Sequence, residues 1–249
     1  MRFYGVNGEP VLSKKDGNHG WEADYDKQGH QTIITYIGPT SIADGYATMK
    51  STYDARGNRT RLRFYGVNGE PVLSKEYGNH GWDGEYDEQG NRTVETYLGL
   101  DGKPTTIADG YVTMKSTYGA GGKEARRTFL GVNGEPVQHK AGYYGREDKY
   151  DEQGNKTVET CLGLDGKPMP LADGYATVKS TYDARGKLVR RTFYGVNGEP
   201  VLSKKDGYHG WEAKYDENGK QTGKIYLGKD GKPQPKNPKQ LLLSHGQKK

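Results

Sequence analysis

The chain has 249 residues, of which 31% are apolar, 38 are glycine, 20 are tyrosine and only four are phenylalanine. So little aliphatic surface excludes a conventional sandwich core. Six lysines and one aspartate fall in residues 229–249, which leaves 31 basic and 31 acidic residues in the remainder; the body therefore lacks the basic face that a nucleic-acid surface needs.

The segment Phe3-Tyr4-Gly5-Val6-Asn7-Gly8-Glu9-Pro10 returns as Phe64–Pro71, as Phe129–Pro136 (with Leu130 in place of the tyrosine) and as Phe193–Pro200, at spacings of 61, 65 and 64 residues. A fixed period of this length marks a repeat architecture. In chain order it predicts repeat unit 1 over 1–62, unit 2 over 63–127, unit 3 over 128–191, a partial unit 4 over 192–233 and a frayed basic tail over 234–249. Unit 1 is about four residues short around Ile37-Gly38-Pro39 and unit 3 one residue short near Ala141-Gly142; both gaps fall in turns, where changes of length are tolerated.

Each unit of about 65 residues splits into two halves of about 32. One half reads like Phe193–Pro200, Asp206–Trp211 and Tyr215-Asp216-x-x-Gly219; the other reads like Tyr97–Pro104, Ala108–Tyr111 and Tyr118-x-x-x-Gly122. Thr-, Tyr- and Phe-rich flanks without helical spacing predict a β-hairpin in each half. In Tyr53-Asp54-Ala55-Arg56-Gly57-Asn58, Asp54 suits the start of a type I turn and Gly57 the left-handed residue of the following bulge. Counted outward from that turn, Tyr53 faces Arg59 and Thr48 faces Phe64. The same count sets Gly20, Gly81 and Gly210 opposite Tyr36, Tyr97 and Tyr226, so that each ring covers bare backbone. The proline after each Asn/Asp-Gly turn belongs in a connection or on an edge, because it cannot donate to a ladder. The fold expected is all-β: an elongated, solenoid-like stack of hairpins in four units, held by nearest-neighbour packing.

No phosphate-binding glycine loop, nucleophile elbow or zinc-protease helix is present, and tandem units rarely assemble one asymmetric catalytic site; the expectation is no enzyme and no cofactor. The motif His-Gly-Trp recurs as His19-Gly20-Trp21, His80-Gly81-Trp82 and His209-Gly210-Trp211, and unit 3 has Tyr144-Gly145-Arg146 instead. Trp21, Trp82 and Trp211, with His19, His80 and His209, form either a platform for sugar rings or the interlocking core of each hairpin; the core reading is preferred. Met49, Met114 and Val178 fill the matching slot of the other half as core residues. One aspartate per turn cannot supply the six to eight converging oxygens of a calcium site, so Asp101, Asp165 and Asp230 are turn residues and no metal is expected. Asn58, Asn91 and Asn155 match the glycosylation sequon, but asparagine after a turn glycine explains them as well. Cys161, the one cysteine, takes an aromatic slot and is expected to be a packed thiol. Met1 starts inside the repeat frame, with no signal peptide and no membrane-spanning stretch.

The string Tyr-Asp-x-x-Gly-Asn, at Tyr53–Asn58 and Tyr86–Asn91, resembles the YD repeats of bacterial Rhs-like proteins, here at a longer spacing of about 32 residues. Its alternation with Asp-Gly-Lys-Pro and Ala-Asp-Gly-Tyr is similar to repeat arrays of bacterial surface or envelope-associated proteins. The resemblance implies a hairpin-repeat scaffold in a cell-surface or secreted setting, with adhesion or carbohydrate binding as associated roles. The function expected is a structural scaffold or protein-interaction rod. The alternatives are a glycan- or cell-wall-binding module and, more distantly, a fragment of a YD-repeat toxin shell.

Overall fold

A computed structural model describes residues 1–4, 6–13, 17–38 and 42–235. The part of the basic tail beyond residue 235 and the Pro39 end of the unit 1 gap lie outside the described residues. The fold is all-β: antiparallel strands joined by turns, with a single short 3₁₀ turn, Ala120–Gly122, among the described residues. The chain forms two compact units. The first holds Met1–Ser116 and Thr128–Lys140, the second Thr117–Arg127 and the described residues from Ala141 onward. The strands of the first half are β1 (Gly20–Tyr25), β2 (Gln31–Ile37), β3 (Thr48–Tyr53), β4 (Arg59–Tyr65), β5 (Gly81–Tyr86), β6 (Arg92–Leu98) and β7 (Thr113–Tyr118). They continue as β8 (Glu124–Leu130), β9 (Gly145–Tyr150), β10 (Lys156–Leu162), β11 (Thr177–Tyr182), β12 (Leu188–Tyr194), β13 (Gly210–Tyr215), β14 (Gln221–Leu227) and β15 (Pro233–Gln234). Within each unit, strand order follows chain order.

The hairpin turns have the predicted chemistry. Gly57 is left-handed at φ 84°, its amide donates to Asp54 O at 3.1 Å, and Asp54 N donates to Asn58 O at 3.0 Å. The aspartate then fastens its own turn: Asp54 Oδ1 accepts from Arg56 N and Asn58 N, and Oδ2 accepts from Asn58 Nδ2, all at 2.9 Å. Asp87 with Asn91 and Asp151 with Asn155 repeat this arrangement. In the Tyr118 turn, Gly119 replaces the aspartate and the chain makes the 3₁₀ turn instead, with Gly121 at φ 71°.

The register differs from the count made outward from the turn. Tyr53 does face Arg59, but Thr52 faces Arg61, so Thr60 is an extra, bulged residue. Every pair beyond it slips by one. Met49, not Thr48, meets Phe64, and Trp21, Trp82 and Trp211, not the glycines before them, meet Tyr36, Tyr97 and Tyr226. The bulge is built in, since the Thr60 hydroxyl donates across the hairpin to Thr52 O at 3.3 Å, as Thr93 does to Glu85 O at 3.4 Å and Thr157 to Lys149 O at 3.2 Å. The sequon match is therefore an anchoring asparagine followed by a bulge threonine. The glycines serve a different contact. A Cβ on Gly81 would lie 1.9 Å from Leu62 O, and one on Gly210 2.2 Å from Arg191 O, so only glycine lets the preceding strand pass.

Within a hairpin six residue pairs align, but between hairpins only three do, as in Arg61–Asp83, Leu62–Trp82 and Arg63–Gly81. The strands part toward the turn, and a tyrosine closes the gap. Tyr53 Oη donates to Gln31 O at 2.9 Å and Tyr86 Oη to Arg59 O at 2.7 Å. In the second unit Tyr150, Tyr182 and Tyr215 donate to Glu124 O, Lys156 O and Leu188 O at 3.1, 3.0 and 2.8 Å. In every case the last residue of a hairpin's first strand bonds the first residue of the preceding hairpin's second strand.

The core is thin and lies under the loops. Each proline bridges back to the strand end, as in Tyr65–Pro71, Leu98–Pro104 and Tyr194–Pro200, and Val72 N reaches Phe64 O at 3.2 Å. Beneath the loops lie Phe64, Ile107, Val112 and Phe129 in the first unit, and Leu162, Val178, Phe193 and Leu227 in the second. Rings pair at a fixed step: Tyr46 on Phe64 at 4.5 Å, Tyr111 on Phe129 at 4.7 Å and Tyr175 on Phe193 at 4.7 Å.

Removing one tyrosine hydroxyl leaves a carbonyl at the parted strand ends without its donor. Tyr86→Phe and Tyr215→Phe are each expected to cost about 0.5–1.5 kcal/mol of unfolding free energy, measured by urea denaturation. The double variant should lose the sum, because the two sites share no partners.

Candidate functional site

The recurring Trp-Tyr pair lies across a hairpin, where β1 meets β2, β5 meets β6 and β13 meets β14. All three tryptophans are half-buried. Their surroundings differ. The guanidinium of Arg92 lies 4.8 Å from the Trp82 ring centre, and its charge is held by Glu95 at 2.9 Å. The ammonium of Lys224 lies 4.0 Å from the Trp211 ring centre. Gln31 stands at the position of Arg92 in unit 1, and Ile34 at that of Lys224. Among the described residues no side-chain cation lies over Trp21.

Two of the histidines face inward. His80 and His209 are 5% and 3% exposed, and each Nδ1 donates to a carbonyl, Val72 O and Val201 O, at 3.1 Å. Since a carbonyl only accepts, the proton belongs on Nδ1 in both. Each also meets a tyrosine ring edge-on, Tyr65 at 5.4 Å and Tyr194 at 5.2 Å. His19 sits at the matching place in unit 1, with its Nδ1 buried and without a hydrogen-bond partner among the described residues. The His80 and His209 imidazoles are thus engaged with backbone carbonyls and tyrosine rings.

Unit 3 replaces the aromatic pair with Arg146 opposite Cys161. A knot of charge results. Arg146 pairs with Asp148 at 3.0 Å, and Lys156 pairs with Asp148 at 2.7 Å and with Glu159 at 3.2 Å. Burial lowers the Arg146 value, and Asp148 and Glu159 overcome it, leaving the guanidinium above its ordinary range. Burial pushes the Cys161 thiol up to about 11, so at neutral pH it is a protonated, packed side chain.

Beside Trp21 of unit 1, next to Lys75 and Glu76 of unit 2, opens a cleft of about 850 Å³. Its walls include Ile34, Tyr36 and Tyr46, with Gln31, Asp44 and Glu76 as polar groups and Lys75 alongside. Tyr36 meets Tyr46 edge-on at 5.9 Å. Burial, reinforced by Tyr36 and Asp44, raises the Tyr46 hydroxyl above the tyrosine range. Asp44 is engaged: it accepts from the Ser74 hydroxyl at 2.9 Å and from Glu76 N at 2.8 Å. Asp173 clamps Ser203 and Lys205 N in the same way at 2.9 and 2.7 Å. The sequence does not announce this cleft.

Asp101, Asp165 and Asp230 each accept from the amide two residues on, at 3.0, 3.1 and 3.1 Å, as turn residues do. Among the described residues no group of three or more His, Cys, Asp or Glu side chains is placed to hold a metal ion, and no helix is long and apolar enough to cross a membrane.

No family model and no curated protein matches the chain. Among solved structures it is similar to a Photorhabdus luminescens Tc holotoxin pore with a mutated TccC3, at 13% identity and TM-score 0.39, over 92% of this chain and 12% of that one. It is also similar to a TcdB2-TccC3-Cdc42 structure, at 12% identity and TM-score 0.37, over 86% of this chain and 11% of that one. A TcdB2-TccC3 structure matches at 12% identity and TM-score 0.37, over 84% of this chain and 12% of that one. The chain spans about an eighth of the length of these proteins.

The turn aspartates generate a pH dependence. The side-chain amides of Asn58, Asn91 and Asn155 hold Asp54, Asp87 and Asp151 below the usual carboxylate range. The folded form thus prefers the ionised acid. Stability from these turns is whole above the unfolded value, about 3.9, and is lost as pH falls through the lowered folded values. Denaturation midpoints should be level with respect to these groups down to about pH 4 and drop below it. Asn91→Ala should move the Asp87 carboxyl back toward its ordinary value in a carbon NMR titration.

Proposed function

We propose that the chain is a non-enzymatic hairpin-repeat scaffold that holds surfaces for other proteins. The observation that carries this reading is the tyrosine tie. The most regular polar group of the repeat is spent on joining each hairpin to the one before it. The histidines of the His-Gly-Trp motif support the same reading, since His80 and His209 are turned onto backbone carbonyls. A glycan platform needs bare ring faces, and the faces of Trp82 and Trp211 carry Arg92 and Lys224. A stretch of wall in a larger YD-repeat shell, the more distant alternative, would be one form of scaffold.

A scaffold must hold its shape unaided. Amide exchange of the full chain, without ligand and with chelator, should show protected hairpins in both units. Protection that arises only after a ligand is added would overturn the proposal. Trp82→Ala should cost about 2–4 kcal/mol by thermal or chemical denaturation, somewhat below the range for a fully buried ring. A variant that melts like wild type would remove Trp82 from the core.

A further inference from the structure

We propose that the cleft beside Trp21 binds an organic cation, an alkylammonium or guanidinium group, which takes the place that Arg92 and Lys224 occupy over the other two tryptophans. The other two Trp-Tyr hairpins supply the comparison. Three Trp-Tyr pairs share one register, and in two of them a cation stands 4.8 and 4.0 Å from the indole centre. At the positions those cations grow from, unit 1 has Gln31 and Ile34, and both side chains line the cleft. The place used internally in units 2 and 4 thus opens to solvent in unit 1.

The walls suit that ligand. Trp21, Tyr36 and Tyr46 offer aromatic faces and edges, and a positive group near such rings is stabilised by their quadrupoles, most strongly where water is reduced. Asp44 and Glu76 add two carboxylates against one ammonium, Lys75, so the field of the cleft favours cations over anions. The stem of Lys75 lies over Gly45, since a Cβ on that glycine would come within 3.1 Å of its Cγ and Cε. The cleft has a local origin as well. In unit 2 the longer connection lays Thr105 N onto Tyr97 O at 3.0 Å and Pro104 against Leu98, and Tyr111 is only 6% exposed. Unit 1 lacks four residues of that connection, and its Tyr46 is half-buried rather than buried.

The test uses the full chain and nitrogen–proton NMR of the three indole signals, assigned with single Trp→Phe variants. The probes are choline and N-acetyl-arginine amide, which separate a small-molecule ammonium from a peptide-borne guanidinium, and 3,3-dimethylbutanol, the uncharged counterpart of choline. Saturable shifts of the Trp21 signal by either cation, with the Trp82 and Trp211 signals unmoved, support the site. Gln31→Arg, which supplies the resident cation that unit 2 has, should weaken the binding tenfold or more and melt like wild type. The proposal is overturned if neither cation shifts the Trp21 signal, if the neutral alcohol binds as well as choline, or if Gln31→Arg binds unchanged. None of these outcomes touches the scaffold reading, which rests on the tyrosine ties.

Discussion

The structure depends on a hydrogen bond that a sequence scan would treat as incidental. Between hairpins the ladder aligns only three residue pairs and then parts, which would leave backbone groups near every turn without partners. A sheet so interrupted would fray into separate hairpins, and an isolated hairpin is marginal in water. In hairpins that follow another, as at Tyr86 and Tyr215, the tyrosine closing the first strand is long enough to cross the gap, and its hydroxyl finds the carbonyl on the far side. Its ring is also half-buried, so the tie brings apolar contact as well as a hydrogen bond. An array can therefore stand with four phenylalanines and few aliphatic residues, because its joints are polar and local.

A second set of joints acts at the loops. Asp44 and Asp173 each reach a serine, 2% and 1% exposed, and a backbone amide in the loop about 30 residues on. Lys75 N and Lys204 N return the contact to the aspartate carbonyls at 2.8 Å. In unit 3 the serine is replaced by His139, and His139 and Lys140 meet Asp109 as charged or polar partners instead. These clamps hold the loops over the sheet face, and the sheet face becomes a core because it is covered. Repeat proteins in general draw stability from such nearest-neighbour terms, and here the terms can be assigned to named atoms.

The hairpins, their turns and the left-handed glycines were legible in the sequence because turn chemistry is local. Asp54, Gly57 and Asn58 need only one another to state their geometry. The register beyond the turn was not legible, since the bulge at Thr60 depends on a hydroxyl reaching across the hairpin, and a threonine in a strand normally reads as a strand former. That one-residue slip decided the tryptophans' partners. Counting placed glycines against the aromatic rings, whereas the glycines yield to the neighbouring backbone and the rings meet each other across the hairpin. The packed Cys161 was legible from its slot. The cleft was half legible: the gap after Gly38 stood in the sequence, but a shorter turn reads as tolerated variation until the ring that the longer turn covers is known.

The three Trp-Tyr pairs and the one charged knot show what the joints permit. Where a hairpin is fixed at its turn end by a tyrosine and at its loop end by backbone pairing, the middle of the strands can take more than one kind of packing. It holds Trp82 with Arg92, Trp211 with Lys224 and the knot of Arg146 with Asp148 and Lys156 in closely similar backbone settings. An aromatic pair and a four-charge network differ greatly in hydration, and a core that needed one specific packing could not exchange them. The exchange is tolerated here because the ties lie elsewhere. In unit 1 Gln31 and Ile34 stand where units 2 and 4 have cations, and a half-buried indole faces a cleft with two carboxylates on its walls.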